Sequence, residues 1–410
     1  MSYLARIDAA GPAERWPLVR QLMRSEPLPF YEEMRRDRPV LALPELTLAF
    51  RAADCLLILR RHDDFGVDLY QPKQGDYFMA QDDTADHWRD KSIMKSVLDF
   101  ERIPEMRTFV GERTAEILND AGGTIDLPKS LTRAVPVALV QKFFGLDEHR
   151  ASDLIEWSYW NQQDAFHNQP FDDAPDPDAI VAARKKANIR LALYIGRLVL
   201  ERSALIKIGA GRNDVISRLL KISFSDGVQF GLKKVLFNSG GLLIGAVETT
   251  SHAVCNIIAE ILARPDVLAE ARRVATNGPA EAFDGFAMEA LRFRPAFPYF
   301  FRTCHKPTEL AGGTSFAAEV RPDTTVLAVT HSAMMDPASF SNPATFDPDR
   351  SQGDNFTLGL GIHECLGRPI AKPMFSEIAR QIFRLPGLKA TGPVVLGNQV
   401  PDSYPVSWTV

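Results

Sequence analysis

A chain of 410 residues, 45% hydrophobic and 24% charged, has ordinary globular composition. Its net charge of −5 carries no nucleic-acid signature. No run of about 18 or more apolar residues occurs, and the first eight residues, Met-Ser-Tyr-Leu-Ala-Arg-Ile-Asp, already hold charges. A cytoplasmic protein without membrane insertion is therefore expected. The four cysteines, Cys55, Cys255, Cys304 and Cys365, show no Cys-x-x-Cys spacing. That argues against zinc ribbons, iron–sulfur clusters and a disulfide framework. No Gly-x-Gly-x-x-Gly follows a strand-like run, so neither a fused reductase nor a fused ferredoxin domain is expected.

In chain order, helical spacing is expected over 27–36 and 52–61, with two short strands, Val40–Leu43 and Leu46–Phe50, between them. From His62 to Asp83 periodicity gives way to Gly, Asp, Gln and aromatics, a long loop of the kind that is usually functional. A helix opens near Asp86 and runs to Val97. It puts His87 and Lys91 one turn apart on one face, which alone reads equally well as a solvated surface. Helical patterns follow at 105–119, 135–144 and 146–163. A Pro/Asp-rich break at 168–178 leads to a long helix over 179–202.

The segment Val228–Leu262 reads as one long helix, with Ser225 or Asp226 as N-cap and a stop at Pro265. About 35 residues at 1.5 Å rise would span roughly 50 Å. Its centre, Asn238-Ser239-Gly240-Gly241 and then Gly245-Ala246-Val247-Glu248-Thr249-Thr250, is a poor helix former. A distortion kept for function is one reading; close packing against a neighbouring helix is the other. Downstream, Glu289-Ala290-Leu291-Arg292 sits in a helix over 283–293. Such a pair is most often surface decoration. Strand-like pieces follow near 309–316, at Glu319 and at 325–330, and a C-terminal hairpin is expected to turn near Gly397-Asn398.

The richest stretch is Leu358–Ala371. Its glycines allow tight turns, His363 precedes Cys365 by two residues, and Ile370, Met374, Ile378 and Ile382 recur at helical spacing. A cysteine at a helix start is favoured as thiolate, fit to be a metal ligand or a nucleophile. The pattern Gly-x-Gly-x-His-x-Cys-x-Gly-x-x-x-Ala from Gly359 to Ala371 resembles the haem-binding loop of the cytochrome P450 family. Gly245–Thr249, Glu289-x-x-Arg292 and His87-x-x-x-Lys91 match three more of the family's motifs, in the family's order.

The resemblance implies a mainly α, single-domain fold over 1–410. It has about a dozen helices and small sheets, with haem b between the long central helix and the Cys-loop helix. It implies Cys365 as iron ligand, with His87, Lys91, Arg302 and His363 on the propionates and Gly359, Gly367 and Ala246 against the cofactor. Thr249 and Glu248 would handle protons, and Glu289, Arg292 and Arg350 would form a structural ion network. The pocket would be lined by Tyr77, Phe78, Leu243, Ala296, Phe297 and Val400.

The implied function is a monooxygenase acting with O2 on a mid-sized, largely apolar substrate. The protein would be a monomer, fed by a separate ferredoxin-type donor that docks on a basic patch of Arg368, Lys372, Arg107 and Arg113. A peroxygenase or hydroperoxide isomerase, and a non-catalytic haem ligand-binding protein, are the alternatives. Three positions depart from the family pattern: Leu358 replaces phenylalanine, Lys91 replaces arginine, and Pro373 lies inside the Cys-loop helix, where a kink or one lost hydrogen bond is expected.

Overall fold

The structure is a computed structural model that describes residues 2–82, 84–147, 149–225, 227–351 and 355–410. The described residues form eighteen α-helical segments, thirteen of them nine residues or longer, with four small sheets. The chain divides into two compact units. One is Met1–Pro72 with Leu291–Cys365; the other is Lys73–Ala290 with Leu366–Val410.

The first unit is built on a five-stranded sheet in the order Val40–Ala42, Thr47–Ala49, Thr325–Ala328, Phe300–Cys304, Phe65–Gly66. Only the Thr47–Ala49 and Thr325–Ala328 pairing is parallel. Cys55, Ile58, Phe65, Cys304, Val326, Met334, Phe340 and Phe356 form its core beside the sheet. Pro12–Ser25 and Pro27–Asp37 open with proline in the first turn, where the missing N–H has no partner to lose. Tyr3–Ala9 and Pro12–Ser25 lie upstream of the first helix expected from periodicity.

The second unit is helical around the central segment. That segment begins at Leu232, capped by Gly231, four residues later than expected. Ser225 is no cap: its hydroxyl donates to the carbonyl of Lys221, closing the preceding helix Val215–Ser223. Asp226 lies outside the described residues. The central run is two helices, Leu232–Ala246 and Glu248–Leu262, broken at Val247 (φ −88°, ψ −68°). The distortion therefore falls where the glycines and threonines weaken the helix. Leu232–Leu262 is the one stretch among the described residues long and apolar enough to cross a membrane. Some 72% of its apolar window is buried, as in a core helix.

Pro265 both ends this run and begins the next helix, Pro265–Asn277, at its N1 position. Glu248–Leu262 packs against the Cys-loop helix Arg368–Phe383. That helix continues without interruption through Pro373, so the proline removes one hydrogen bond without ending the helix. The C-terminal hairpin pairs Val395–Gly397 with Val400–Ser403. Asn398 and Gln399 at its tip both have positive φ, the signature of a two-residue type I′ turn.

Candidate functional site

In the first unit the cysteine loop is held by its own backbone. The Cys365 N–H donates to the Leu358 carbonyl at 2.9 Å, Gly359 to Phe356 at 2.9 Å and Glu364 to Gly361 at 3.1 Å. Gly359 (φ +70°) and Gly361 (φ +75°) take left-handed conformations. At Gly361 a Cβ would stand 2.2 Å from the Leu59 carbonyl oxygen, so the loop can lie against the end of helix Ala52–Arg60 only as glycine. Cys365 is partly exposed, whereas Cys55, Cys255 and Cys304 are buried. Burial pushes the Cys255 thiol up to about 12 and raises those of Cys55 and Cys304. One cysteine of the four is therefore placed to act as a thiolate ligand.

A phenylalanine, Phe356, stands two residues before Leu358, the position where the family pattern has one. Phe356 is buried in the sheet-side core with Met334 and Phe340, and Leu358 lends its carbonyl to Cys365. His363 is half-buried on the turn Gly361–His363. Arg302 is buried on strand Phe300–Cys304 and donates to the Phe301 carbonyl at 2.7 Å. Ala296 and Phe297 are half-buried. Arg292 and Arg350 converge, each donating to the Thr345 carbonyl at 3.1 Å, and Arg292 also reaches the Met334 carbonyl at 3.0 Å. Tyr70 stacks on Phe301 with ring centroids 4.2 Å apart.

In the second unit the helix break carries the acid and the alcohol. Thr249 donates to the Gly245 carbonyl at 2.6 Å. Gly245 is exposed next to the buried stretch Asn238–Leu243 of its helix, and a Cβ there would meet nothing within 4 Å. Ala246 and Thr249 beside it are half-buried. Glu248 is 1% exposed, and both its oxygens accept from Nε of Arg133 at 2.9 Å. Burial pushes its carboxyl up to about 7 against the opposing pull of Arg133, so the group exchanges protons near neutrality.

Arg133 escapes sequence reading because Leu131-Thr132-Arg133-Ala134 has no motif around it. Its pairing with a residue 115 positions away is made by tertiary packing.

His87 is buried, and its Nδ1 shares a 2.9 Å hydrogen bond with the Phe78 carbonyl, which fixes the ring. Lys91 is buried one turn on. The Tyr77 ring lies against Gly241, where a Cβ would be 2.3 Å from it. Phe78, Leu243 and Val400 are packed in the protein interior, which leaves Tyr77 as the accessible member of this unit's expected pocket residues. Gly367 caps helix Arg368–Phe383 and accepts from the Ala371 N–H at 2.7 Å.

Helices Ala151–His167 and Pro177–Lys207 form the expected hairpin. Buried Asp164 binds Lys73 and Arg184 at 2.9 Å each, tying the roof segment to both helices. The expected basic patch is reduced. The Arg107 guanidinium is committed to Asp284, and Arg113 pairs with Glu116.

Each half of the residue set fits the prosthetic group that the loop motif implies. The first unit offers an accessible thiol in a glycine turn and, on the same unit, the basic side chains Arg302 and His363. The second offers buried basic side chains at His87 and Lys91, and a central helix left open at Gly245.

A family model described as Cytochrome P450 matches residues 283–384. The erythromycin C-12 hydroxylase of Saccharopolyspora erythraea is 28% identical over 331 residues, covering 79% of this chain and 77% of that protein. The cytochrome P450 monooxygenase PikC of Streptomyces venezuelae is 27% identical, covering 72% and 65%. The solved structure of CYP109Q5 from Chondromyces apiculatus superposes with a TM-score of 0.79 at 19% identity, covering 95% of this chain and 97% of that one; at that identity it speaks to fold.

Proposed function

We propose that this chain is a haem-thiolate monooxygenase of the cytochrome P450 family, in which Cys365 would be the thiolate ligand of the haem iron. The bound haem supplies reductive activation of O2, using two electrons and two protons to leave one oxygen atom in the product and one in water. His87, Lys91, Arg302 and His363 neutralise the propionates. Lys91 does so as a point charge, without the fork of an arginine. Gly359, Gly367 and Ala246 keep side chains clear of the macrocycle. Glu289, Arg292 and Arg350 brace the segments that carry the cysteine loop.

The observation that carries the reading is the acid–alcohol pair at the helix break. Thr249 donates to the carbonyl of exposed Gly245, and beside it Glu248 holds a carboxyl that titrates near neutral pH. Such a pair can accept a proton from water and pass it to a hydroxyl facing the reaction site. It favours O2 activation with delivered protons over peroxide use, and so supports a monooxygenase fed by a separate ferredoxin-type donor and its reductase. Tyr77, Ala296 and Phe297 are assigned to a mid-sized, largely apolar substrate.

The test is spectroscopic first. Reduced protein under CO shows the red-shifted Soret band of thiolate ligation, and Cys365→Ser loses it. Retention of that band in the serine variant overturns the assignment. With a surrogate ferredoxin and reductase, Glu248→Gln and Thr249→Ala then divert electrons into peroxide, several-fold above the parent.

A further inference from the structure

Helix Leu232–Ala246 carries an amide that the fold itself does not satisfy. Asn238 is 0% exposed, and neither its Oδ1 nor its Nδ2 has a hydrogen-bond partner among the described residues. Among those residues it is the one side-chain amide with both polar atoms unmet. A buried polar group in that state costs stability, so native proteins keep few of them.

Its neighbours along the helix define where it points. Lys234, one turn before it, reaches Asp90 of helix Ala85–Val97 at 2.9 Å and also pairs with Asp86. Gly241, three residues after it, lies under the Tyr77 ring. Gly245, seven residues after it, is exposed, with open space where a Cβ would stand. Helical period puts all four on one face, so Asn238 shares the face that leads to Gly245 and on to Thr249. Residues of the roof segment cover this stretch. Besides Tyr77, Asp76 pairs with Lys233, and a Cβ on Gly75 would stand 3.5 Å from the Phe237 ring. Lys233 and Lys234 are thus both committed to carboxylates, which disfavours an anionic ligand at this end of the helix.

We propose that Asn238 is a specificity-determining residue whose carboxamide holds a neutral group of the substrate that both donates and accepts a hydrogen bond. A primary carboxamide or a lactam matches it, with N–H to Oδ1 and C=O to Nδ2. The match survives exchange of the amide oxygen and nitrogen, because the partner offers both functions as well. From Asn238 to Gly245 the helix rises roughly 10 Å. The anchored group therefore stands about that far from the carbon presented at the helix break, and Tyr77, seated on bare Gly241, closes over it. The anchor rests on the reading of the break as the reaction site. It narrows a largely apolar substrate to one that carries a neutral polar end.

The test uses the haem-loaded enzyme and the low-to-high-spin shift, titrated with dodecanamide and with methyl dodecanoate. The ester has the same chain and accepts hydrogen bonds but donates none. The parent protein is expected to bind the amide about tenfold more tightly. Asn238→Leu keeps the volume and removes both polar atoms, and that preference is expected to fall to about twofold or less. Its thermal midpoint is expected at or above the parent's, since an unmet amide has gone. With a surrogate ferredoxin and reductase, oxidation of dodecanamide falls on a narrow run of adjacent carbons in the parent and spreads along the chain in Asn238→Leu. Ser239→Ala removes an unmet hydroxyl on another face of the same turn and keeps both the preference and the narrow run. The anchor is overturned if the parent shows no preference for the amide, if Asn238→Leu retains it, or if Ser239→Ala loses it equally. A parent protein without the red-shifted CO band fails the haem-thiolate reading instead.

Discussion

At the scale of single residues, burial sorts chemically identical groups into different roles. Four cysteines share one side chain, yet only Cys365 is accessible, and burial keeps Cys55, Cys255 and Cys304 as thiols. Glu248 shows the same rule for an acid. Its folded value is about 7 against an ordinary 4.5, so the native state binds a proton that the unfolded chain has already released in that window. Stability linked to this group is fully present below about pH 4.5 and is lost as pH rises through 7. The effect is about 3 kcal/mol at the upper end. Glu248→Gln, which cannot titrate, is expected to flatten the fall in stability between those pH values. Denaturant melts of the two proteins at a series of pH values check it; parallel curves would refute the shift.

Elements reveal how the backbone makes room for the site. The central helix is interrupted at Val247, between the glycine that opens its face and the acid–alcohol pair, so the break and the chemistry share three residues. Gly361 shows the cost of close approach. It combines φ +75° with a carbonyl 2.2 Å from where a Cβ would stand, whereas Gly313 has φ +73° and open space around it. Gly313→Ala is expected to lose about 1 kcal/mol, from strain alone. Gly361→Ala is expected to lose about 2–4 kcal/mol and to retain haem poorly, because the strain is joined by a backbone collision. Thermal melts and haem content measured on both variants separate the two contributions. Equal losses would show that the contact with Leu59 is relieved at no cost.

For the molecule as a whole, the likeness in fold extends far beyond the segment that the family model matches. The family model matches 102 residues, 283–384, while the solved relative superposes over 95% of the chain. The electron donor is proposed to be a separate protein. Turnover is therefore expected with NAD(P)H only when a ferredoxin and its reductase are added, and at least tenfold slower with peroxide alone. Product formation under the two regimes measures this, and equal rates would favour the peroxygenase alternative. Docking of the donor cannot draw on Arg107 and Arg113 as free charges, since both are held in ion pairs within their own unit.

Local chemistry explains what could be read without the fold. The cysteine loop, the poor helix formers at 238–250, the proline-led helix starts and the Gly397–Asn398 turn each depend on residues within a few positions of one another. Backbone preference and helical period are properties of such short windows. The partners of those residues depend on the folded chain. That Arg133 is the arginine on Glu248, that Tyr77 rests on Gly241 and that Asp164 ties Lys73 to Arg184 join positions 20 to 164 residues apart. Nothing in either segment marks such a pair, because an arginine preceding a helix or an aspartate within one has the same local preferences whether exposed or buried. Which charge is desolvated, and against what, is decided only when the helices pack, and desolvation is what turns Glu248 from an ordinary acid into one poised near neutrality.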